Sequence, residues 1–270
     1  MADRYGSDGK YLAGGQSLIP LMKLRIASPA HVIDLGRIAG LSYIRMEGGQ
    51  VALGAMTGLQ EISNSGLVAE ECPALVQCAV QIADPLVRNM STIGGNVAHA
   101  DPSNDMPAVM VATGAQLVAT SSRGRRTIPA TEFFVDTFTT ALRQGELLTE
   151  IRIPVGKNRM SAYMKLERQP GDFGIVAVAA VLELGAGGTI TSCGIGLSGV
   201  GPKVLKASMA EKLLVGKHPS QGAFEGAAAA AADETQPVGD LRGSAEYKRR
   251  MAQVMTVRAL QAAAKGAENV

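Results

Sequence analysis

Two short segments constrain this chain more than anything else in it: Leu12-Ala13-Gly14-Gly15-Gln16-Ser17 and Ser91-Thr92-Ile93-Gly94-Gly95-Asn96. Each joins two adjacent glycines to small polar side chains, so main-chain N–H groups are left uncovered and can converge on an anion. A diphosphate suits such a nest, and two nests in one compact domain can grip its two ends. Taken singly, either glycine pair is an ordinary tight turn. The pair together is the informative pattern, and it requires distant stretches of chain to meet.

Composition sets the frame around those loops. At 270 residues the chain is long for one domain and short for three, so two or three units are expected. Hydrophobic residues make up 46% and charged residues 19%, which argues against disorder and against a membrane protein. No apolar run approaches the roughly 20 residues of a spanning helix. The start, Met1-Ala2-Asp3-Arg4-Tyr5-Gly6, has no apolar stretch behind a positive end. Nothing there reads as an export signal, and the cytoplasm is the expected location. A net charge of +2, spread along the chain, is too weak and scattered for a nucleic-acid footprint. Cys72, Cys78 and Cys193 include no CxxC pair, and His31, His99 and His218 are far apart. A zinc or iron–sulfur site built from this chain alone is therefore not expected.

The first segment reads strand, glycine loop, the apolar run Leu18-Ile19-Pro20-Leu21-Met22, then a strand around Val32-Ile33-Asp34-Leu35, which is half of a small α/β unit. Almost nothing precedes its first strand, so an upstream piece is expected to be absent. A hairpin closed by Glu47-Gly48-Gly49 opens the next unit. Helices are predicted over Pro73 to Ala83 and Asp105 to Thr113, the latter ended by a left-handed Gly114. A strand over Gln116 to Thr120 follows, and the unit closes at Ile151-Arg152-Ile153-Pro154. A third unit starts near Ser161 with a hairpin of Ile175 to Leu182 and Thr189 to Ser198. Helices are then predicted over Val204 to Val215, around Ala227 to Ala232, and over Ser244 to Lys265. In the last, Tyr247, Met251, Val254 and Met255 recur as one buried stripe.

Carried together, these residues resemble a known family. The match runs from Tyr11-Leu12-Ala13-Gly14-Gly15-Gln16-Ser17-Leu18-Ile19-Pro20-Leu21-Met22-Lys23 through Ser91-Thr92-Ile93-Gly94-Gly95-Asn96 and Leu147-Leu148-Thr149-Glu150-Ile151-Arg152-Ile153-Pro154. It continues with Tyr163-Met164-Lys165 and Glu246-Tyr247-Lys248-Arg249-Arg250, and so covers nearly the whole chain. The chain resembles the FAD-binding medium subunits of the molybdenum hydroxylases, the family of carbon monoxide dehydrogenase and xanthine dehydrogenase. The resemblance implies an α+β architecture. A vanillyl-alcohol-oxidase-like FAD-binding fold of two α/β subdomains, residues 1–42 (truncated at its N-terminus) and 43–157, precedes a C-terminal domain, 158–270, of antiparallel sheet with helices on one face.

The same resemblance implies one non-covalent FAD. Leu12, Ala13, Gly14, Gly15, Gln16, Ser17, Leu18 and Ile19, with Thr92, Ile93, Gly94, Gly95 and Asn96, would cradle the diphosphate and ribityl chain. Asp105 would accept hydrogen bonds from flavin hydroxyls, while Leu148 and Lys165 would contact the isoalloxazine end. Phe173 would cover one flavin face. No catalytic or metal-ligating residue is expected in this chain, because the flavin carries the redox step. A molybdenum cofactor and two iron–sulfur clusters are implied in partner subunits only. The partners are a large molybdenum-cofactor subunit, a small iron–sulfur subunit and an external electron acceptor, quinone or NAD, with assembly as a heterohexamer. Carbon monoxide leads as the substrate of the complex, ahead of aldehydes, purines and N-heterocycles. Association at the inner membrane face would come only through the complex.

Three features invite other readings. Gly194-Ile195-Gly196-Leu197-Ser198-Gly199 spells GxGxxG, but it lies inside the second arm of a predicted hairpin and Val200-Gly201-Pro202 follows it. A dinucleotide fingerprint needs a helix there, so the segment is set aside. His99 near the second loop suggests a covalent flavin link, though a histidine in a polar loop is more often a surface residue. Lys248-Arg249-Arg250 reads as the solvated face of its helix. Two rival functions remain: a self-sufficient flavin oxidoreductase on the same fold, and a flavin-free assembly subunit.

Overall fold

The computed structural model describes residues 2–266. Helix α1 (Ala2–Tyr5) leads into strand β1 (Gly9–Leu12), and after α2 (Leu18–Lys23) the chain returns as β2 (His31–Asp34). The two strands are parallel, Gly9 opposite His31 through Leu12 opposite Asp34. Gly15, at φ +78°, makes the turn from β1 toward α2. From Gly9 to Ser42 only Leu35 is buried, so this small unit has almost no interior of its own.

The next unit opens with the hairpin of β3 (Ile44–Glu47) and β4 (Gln50–Gly54). Gly48 and Gly49 both have positive φ, the geometry of a two-residue turn that matches strand twist. Helices α3 (Leu59–Ser63), α4 (Gly66–Glu71), α5 (Pro73–Val80), α6 (Pro85–Met90), α7 (Ile93–His99) and α8 (Met106–Thr113) follow. The chain then runs through β5 (Gln116–Ser121), β6 (Gly124–Pro129), α9 (Ala130–Phe133), β7 (Phe134–Asp136), β8 (Thr139–Thr140) and β9 (Leu147–Pro154). Strand β9 inserts between β4 and β5, giving the antiparallel order β3-β4-β9-β5-β6. Its central position explains why Leu148, Ile151 and Ile153 are all buried.

The third sheet has the order β10-β11-β12-β13, from β10 (Arg159–Leu166), β11 (Val176–Leu184), β12 (Ile190–Ser198) and β13 (Leu205–Lys206). Its own helices α10 (Ser208–Leu214), α11 (Gln221–Asp233) and α12 (Ala245–Lys265) cover one face. The opposite face packs on the preceding unit through α5 and α8. Strand β11 is therefore buried on both sides. Val176, Val178, Ala180 and Leu182 join the C-terminal core, whereas Ala177, Ala179 and Val181 join the core of the five-stranded unit. That is the physical reason its sequence is an unbroken apolar run rather than an alternating one.

Three sequence expectations need correction. The helix predicted over Val204 to Val215 begins only at Ser208, because Leu205 and Lys206 pair with Leu197 and Gly196 and supply the ladder bonds that edge of the sheet lacks. The buried stripe of α12 is not centred on Tyr247, which is 42% exposed. It runs through Ala252, Met255, Thr256, Ala259, Leu260 and Ala263, because alanines let the helix approach the sheet closely while the larger side chains sit at the stripe's margin. Lys248 is not on a solvated face. It is buried, with Nζ 2.8 Å from Asp240 and donating to the Val238 carbonyl at 3.0 Å.

Candidate functional site

The two glycine loops meet. A side chain on Gly14 would overlap the Met90 carbonyl oxygen and stand 2.9 Å from Ser91 Cα, so the two main chains lie in contact there. A Cβ on Gly95 would stand 3.5 Å from that of Ala13. Between the loops opens a cleft of about 660 Å³, within the usual range for a cofactor pocket. Of the residues expected from sequence, Ala13, Gly14, Gly15, Gln16, Ser17 and Leu18 line it from one side. Thr92, Gly94, Gly95, Asn96 and Leu148 line it from the other.

The loops are not equivalent, which corrects the expectation of two matching nests. In the first, the N–H groups of residues 13–18 donate to no partner among the described residues, and six consecutive donors stand at the entry to α2. In the second, the N–H groups are already committed. Ile93 donates to Thr57 O at 3.0 Å, Gly94 to Ala55 O at 2.8 Å, Asn96 to Thr92 O at 3.0 Å, and Gly95 to the Thr92 hydroxyl at 3.1 Å. Thr92 thus caps α7 and folds the loop onto the end of β4, and a Cβ on Gly94 would stand 2.6 Å from the Ala55 carbonyl oxygen. What the second loop presents to the cleft is a bare glycine backbone and Asn96, whose Oδ1 is buried without a hydrogen-bond partner. An orphaned buried acceptor is costly unless a donor meets it.

Six expected residues do not line the cleft. Leu12 ends β1, Ile19 lies 41% exposed on α2, and Ile93 is fully buried at the first position of α7. Asp105 and Lys165 meet each other instead. The Asp105 carboxylate accepts from the Tyr163 hydroxyl and lies 3.4 Å from Lys165 Nζ, which also donates to Gln81 O at 3.0 Å and approaches Glu167 at 3.0 Å. Burial pushes the Asp105 carboxyl up to about 6, although Lys165 and Tyr163 pull the other way. Phe173 is also away from the cleft, 47% exposed with the Arg242 guanidinium 5.6 Å from its ring centre.

Sequence reasoning missed the far wall. Glu146 lines the cleft and takes both its oxygens to Arg126, at 2.7 and 2.8 Å, while the Arg143 N–H donates to it at 2.7 Å. These bonds hold its carboxyl down at about 2. Phe138, at the β7–β8 turn, lines the cleft beside His99, and no local signal in the sequence marks it. Burial lowers the His99 pKa, so its ring is neutral at neutral pH.

Comparison with known proteins decides the family. Residues 1–156 match the model of the FAD binding domain in molybdopterin dehydrogenase, and residues 161–263 match the CO dehydrogenase flavoprotein C-terminal domain. The chain belongs to the FAD-binding medium subunits of the molybdopterin dehydrogenases. It is 44% identical to the carbon monoxide dehydrogenase medium chain of Hydrogenophaga pseudoflava, over 96% of this chain and 90% of that one. It is 43% identical to the corresponding chain of Afipia carboxidovorans, over 98% and 92%. A solved carbon monoxide dehydrogenase from Hydrogenophaga pseudoflava superposes with a TM-score of 0.94 at 45% identity, covering 97% of this chain and 91% of that chain.

The cleft of this medium subunit fits FAD on its own chemistry. Six free donors at the first loop suit a diphosphate, the unpartnered Asn96 Oδ1 suits a sugar hydroxyl, and the bare Gly95 leaves room for close approach. Among the described residues no cluster of three or more His, Cys, Asp or Glu side chains is placed to hold a metal. No helix among them is long and apolar enough to cross a membrane.

Proposed function

We propose that this medium subunit holds FAD in the cleft between the two glycine loops and, within a cytoplasmic heterohexamer, relays electrons from a partner's iron–sulfur clusters to an external acceptor. Bound FAD supplies the redox chemistry. The chain's own residues bind and orient it. The N–H groups of Ala13 to Leu18 take the diphosphate, and Asn96 accepts from a hydroxyl of the sugar or ribityl chain. Leu148 provides apolar wall. Asp105 and Lys165 stand outside the cleft, paired with each other between the second and third units. Units 1–42, 43–157 and 158–270 divide the labour: the first two form the cleft, and the third buttresses the second through α5 and α8.

The observation that carries this reading is the run of uncommitted N–H groups at the first loop, on a cleft that Gly94, Gly95 and Asn96 line from the other side. Carbon monoxide is the substrate we propose for the complex, on the names of the two relatives reported above. Oxidation of that substrate would fall to the large molybdenum-cofactor subunit. The test is purification. Chain that takes up FAD stoichiometrically, shows flavin absorbance and turns over no substrate alone supports the reading. Colourless chain that cannot be loaded favours the assembly role, and substrate-dependent flavin reduction by the isolated chain favours a self-sufficient oxidoreductase.

A further inference from the structure

Phe138 occupies the β7–β8 turn at φ +52°, a left-handed conformation that bulky side chains adopt only at a cost. The chain holds it there from several sides. The Phe138 N–H donates to the Ala100 carbonyl at 3.0 Å, and Ala100 is itself left-handed at φ +51°. Neighbouring Thr137 donates its N–H to Asp136 Oδ1 at 2.8 Å and its hydroxyl to Pro202 O at 2.7 Å, and the Thr139 hydroxyl donates to Thr137 O at 3.0 Å. Strain at a phenylalanine is ordinarily offset by burying the ring. Here the residue stays 59% exposed and lines the cleft, with the His99 imidazole 5.1 Å away at an interplanar angle of 44°.

The placement along α7 indicates what the exposed ring serves. Gly94 and Gly95 stand at the start of that helix and His99 at its end, on the order of 7 Å apart along the axis. A ring at the His99 end is thus displaced from the second-loop glycines by about the span of a sugar. That is where a dinucleotide carries its flat heteroaromatic groups. A neutral His99 adds no charge that would draw water into the contact.

We propose that Phe138, backed by His99, is a stacking platform for one of the two planar ring systems of the bound dinucleotide, and that the strained turn exists to present it. The proposal rests on the FAD reading above. Its test separates the two. The full chain is stripped of flavin, and dissociation constants for FAD, FMN and ADP are measured by equilibrium dialysis for the wild type, Phe138→Gly and Phe138→Leu. Phe138→Gly removes the ring and relieves the positive φ, so its melting temperature stays level or rises, which secures the fold. Both variants are expected to lose about tenfold or more in FAD affinity. A matching loss for ADP assigns the platform to adenine; a matching loss for FMN assigns it to the isoalloxazine. Wild type that binds FAD while both variants stay within twofold of it overturns the platform alone. Wild type that takes up no FAD overturns the underlying reading.

Discussion

The Tyr163 hydroxyl donates a hydrogen bond to the Asp105 carboxylate and thereby ties strand β10 of the C-terminal unit to the start of α8. Tyr163 is 2% exposed and Asp105 4%, so neither group has water as an alternative partner. Lys165 lies two residues further along the same strand with a fully buried side chain, and it faces both Asp105 and Glu167. The cluster is a buried electrostatic joint between two units, and its parts are interdependent. Tyr163→Phe leaves the Asp105 oxygen without its donor. It is expected to lower stability by about 1–3 kcal/mol in chemical denaturation. A change within error would show that the phenol is not holding the joint.

The raised pKa of Asp105 gives that joint a pH signature. Its folded value of about 6 exceeds its ordinary value of 3.8, so between these the folded state holds a proton that the unfolded state has released. Its favourable contribution is complete below about 4 and is lost as pH rises through about 6. Glu146 has the opposite sign: held at about 2 against an ordinary 4.5, it contributes above 4.5 and loses that contribution as pH falls toward 2. Measured against Asp105→Asn, the wild-type unfolding free energy should therefore fall from about pH 4 to 6. Glu146→Gln should instead reduce the acid-side dependence, to which Glu150 and Asp240, also held low, still contribute. Identical profiles for wild type and Asp105→Asn would sink the assignment.

The GxGxxG letters of β12 owe their glycines to packing. A Cβ on Gly194 would overlap the Ala112 carbonyl oxygen and lie 2.9 Å from its carbon, and one on Gly196 would do the same to Ala108 at 3.0 Å. Helix α8 thus lies directly on the strand. Gly194→Ala and Gly196→Ala are each expected to cost about 3 kcal/mol by overpacking. Gly187→Ala, with nothing within 4 Å, should stay within about 0.5 kcal/mol. Flavin affinity of the folded protein should be unchanged in all three. Loss of FAD binding by Gly194→Ala without loss of stability would revive the segment as a dinucleotide site.

That contrast shows what a sequence can and cannot disclose here. The hairpins at Gly48-Gly49 and Gly185 to Gly188 and the left-handed stop at Gly114 were legible because each follows from chemistry within a few residues. The meeting of Gly14 with Met90 was legible only as an inference from two matching loops, since nothing local dictates it. Commitment of the second-loop N–H groups to Thr57, Ala55 and Thr92 was hidden, because those partners depend on how α7 docks on β4. Lys248 was misread for the same reason: its burial is set by Asp240 and Val238, which lie in a loop with no periodicity. Phe138 left no trace at all, because its importance lies in a backbone angle and in a neighbour distant in sequence.

Gly14 offers the most direct test of whether contact between the loops makes the site. Its φ is not in the left-handed region, so Gly14→Ala acts through space alone, by pushing against Met90 and Ser91. From Gly9 to Ser42 only Leu35 is buried, so displacing the first loop should leave the two large cores intact. FAD affinity is therefore expected to fall by at least tenfold, about 1.4 kcal/mol, while the main unfolding transition of the flavin-free chain stays within about 0.5 kcal/mol of wild type. Gly40→Ala is the control: Gly40 shares that unit, has positive φ and has nothing within 4 Å, so it strains the same unit without touching the loop contact. Equal FAD affinity in Gly14→Ala and wild type would mean that the second loop merely lies nearby and the dinucleotide is held by the first loop alone.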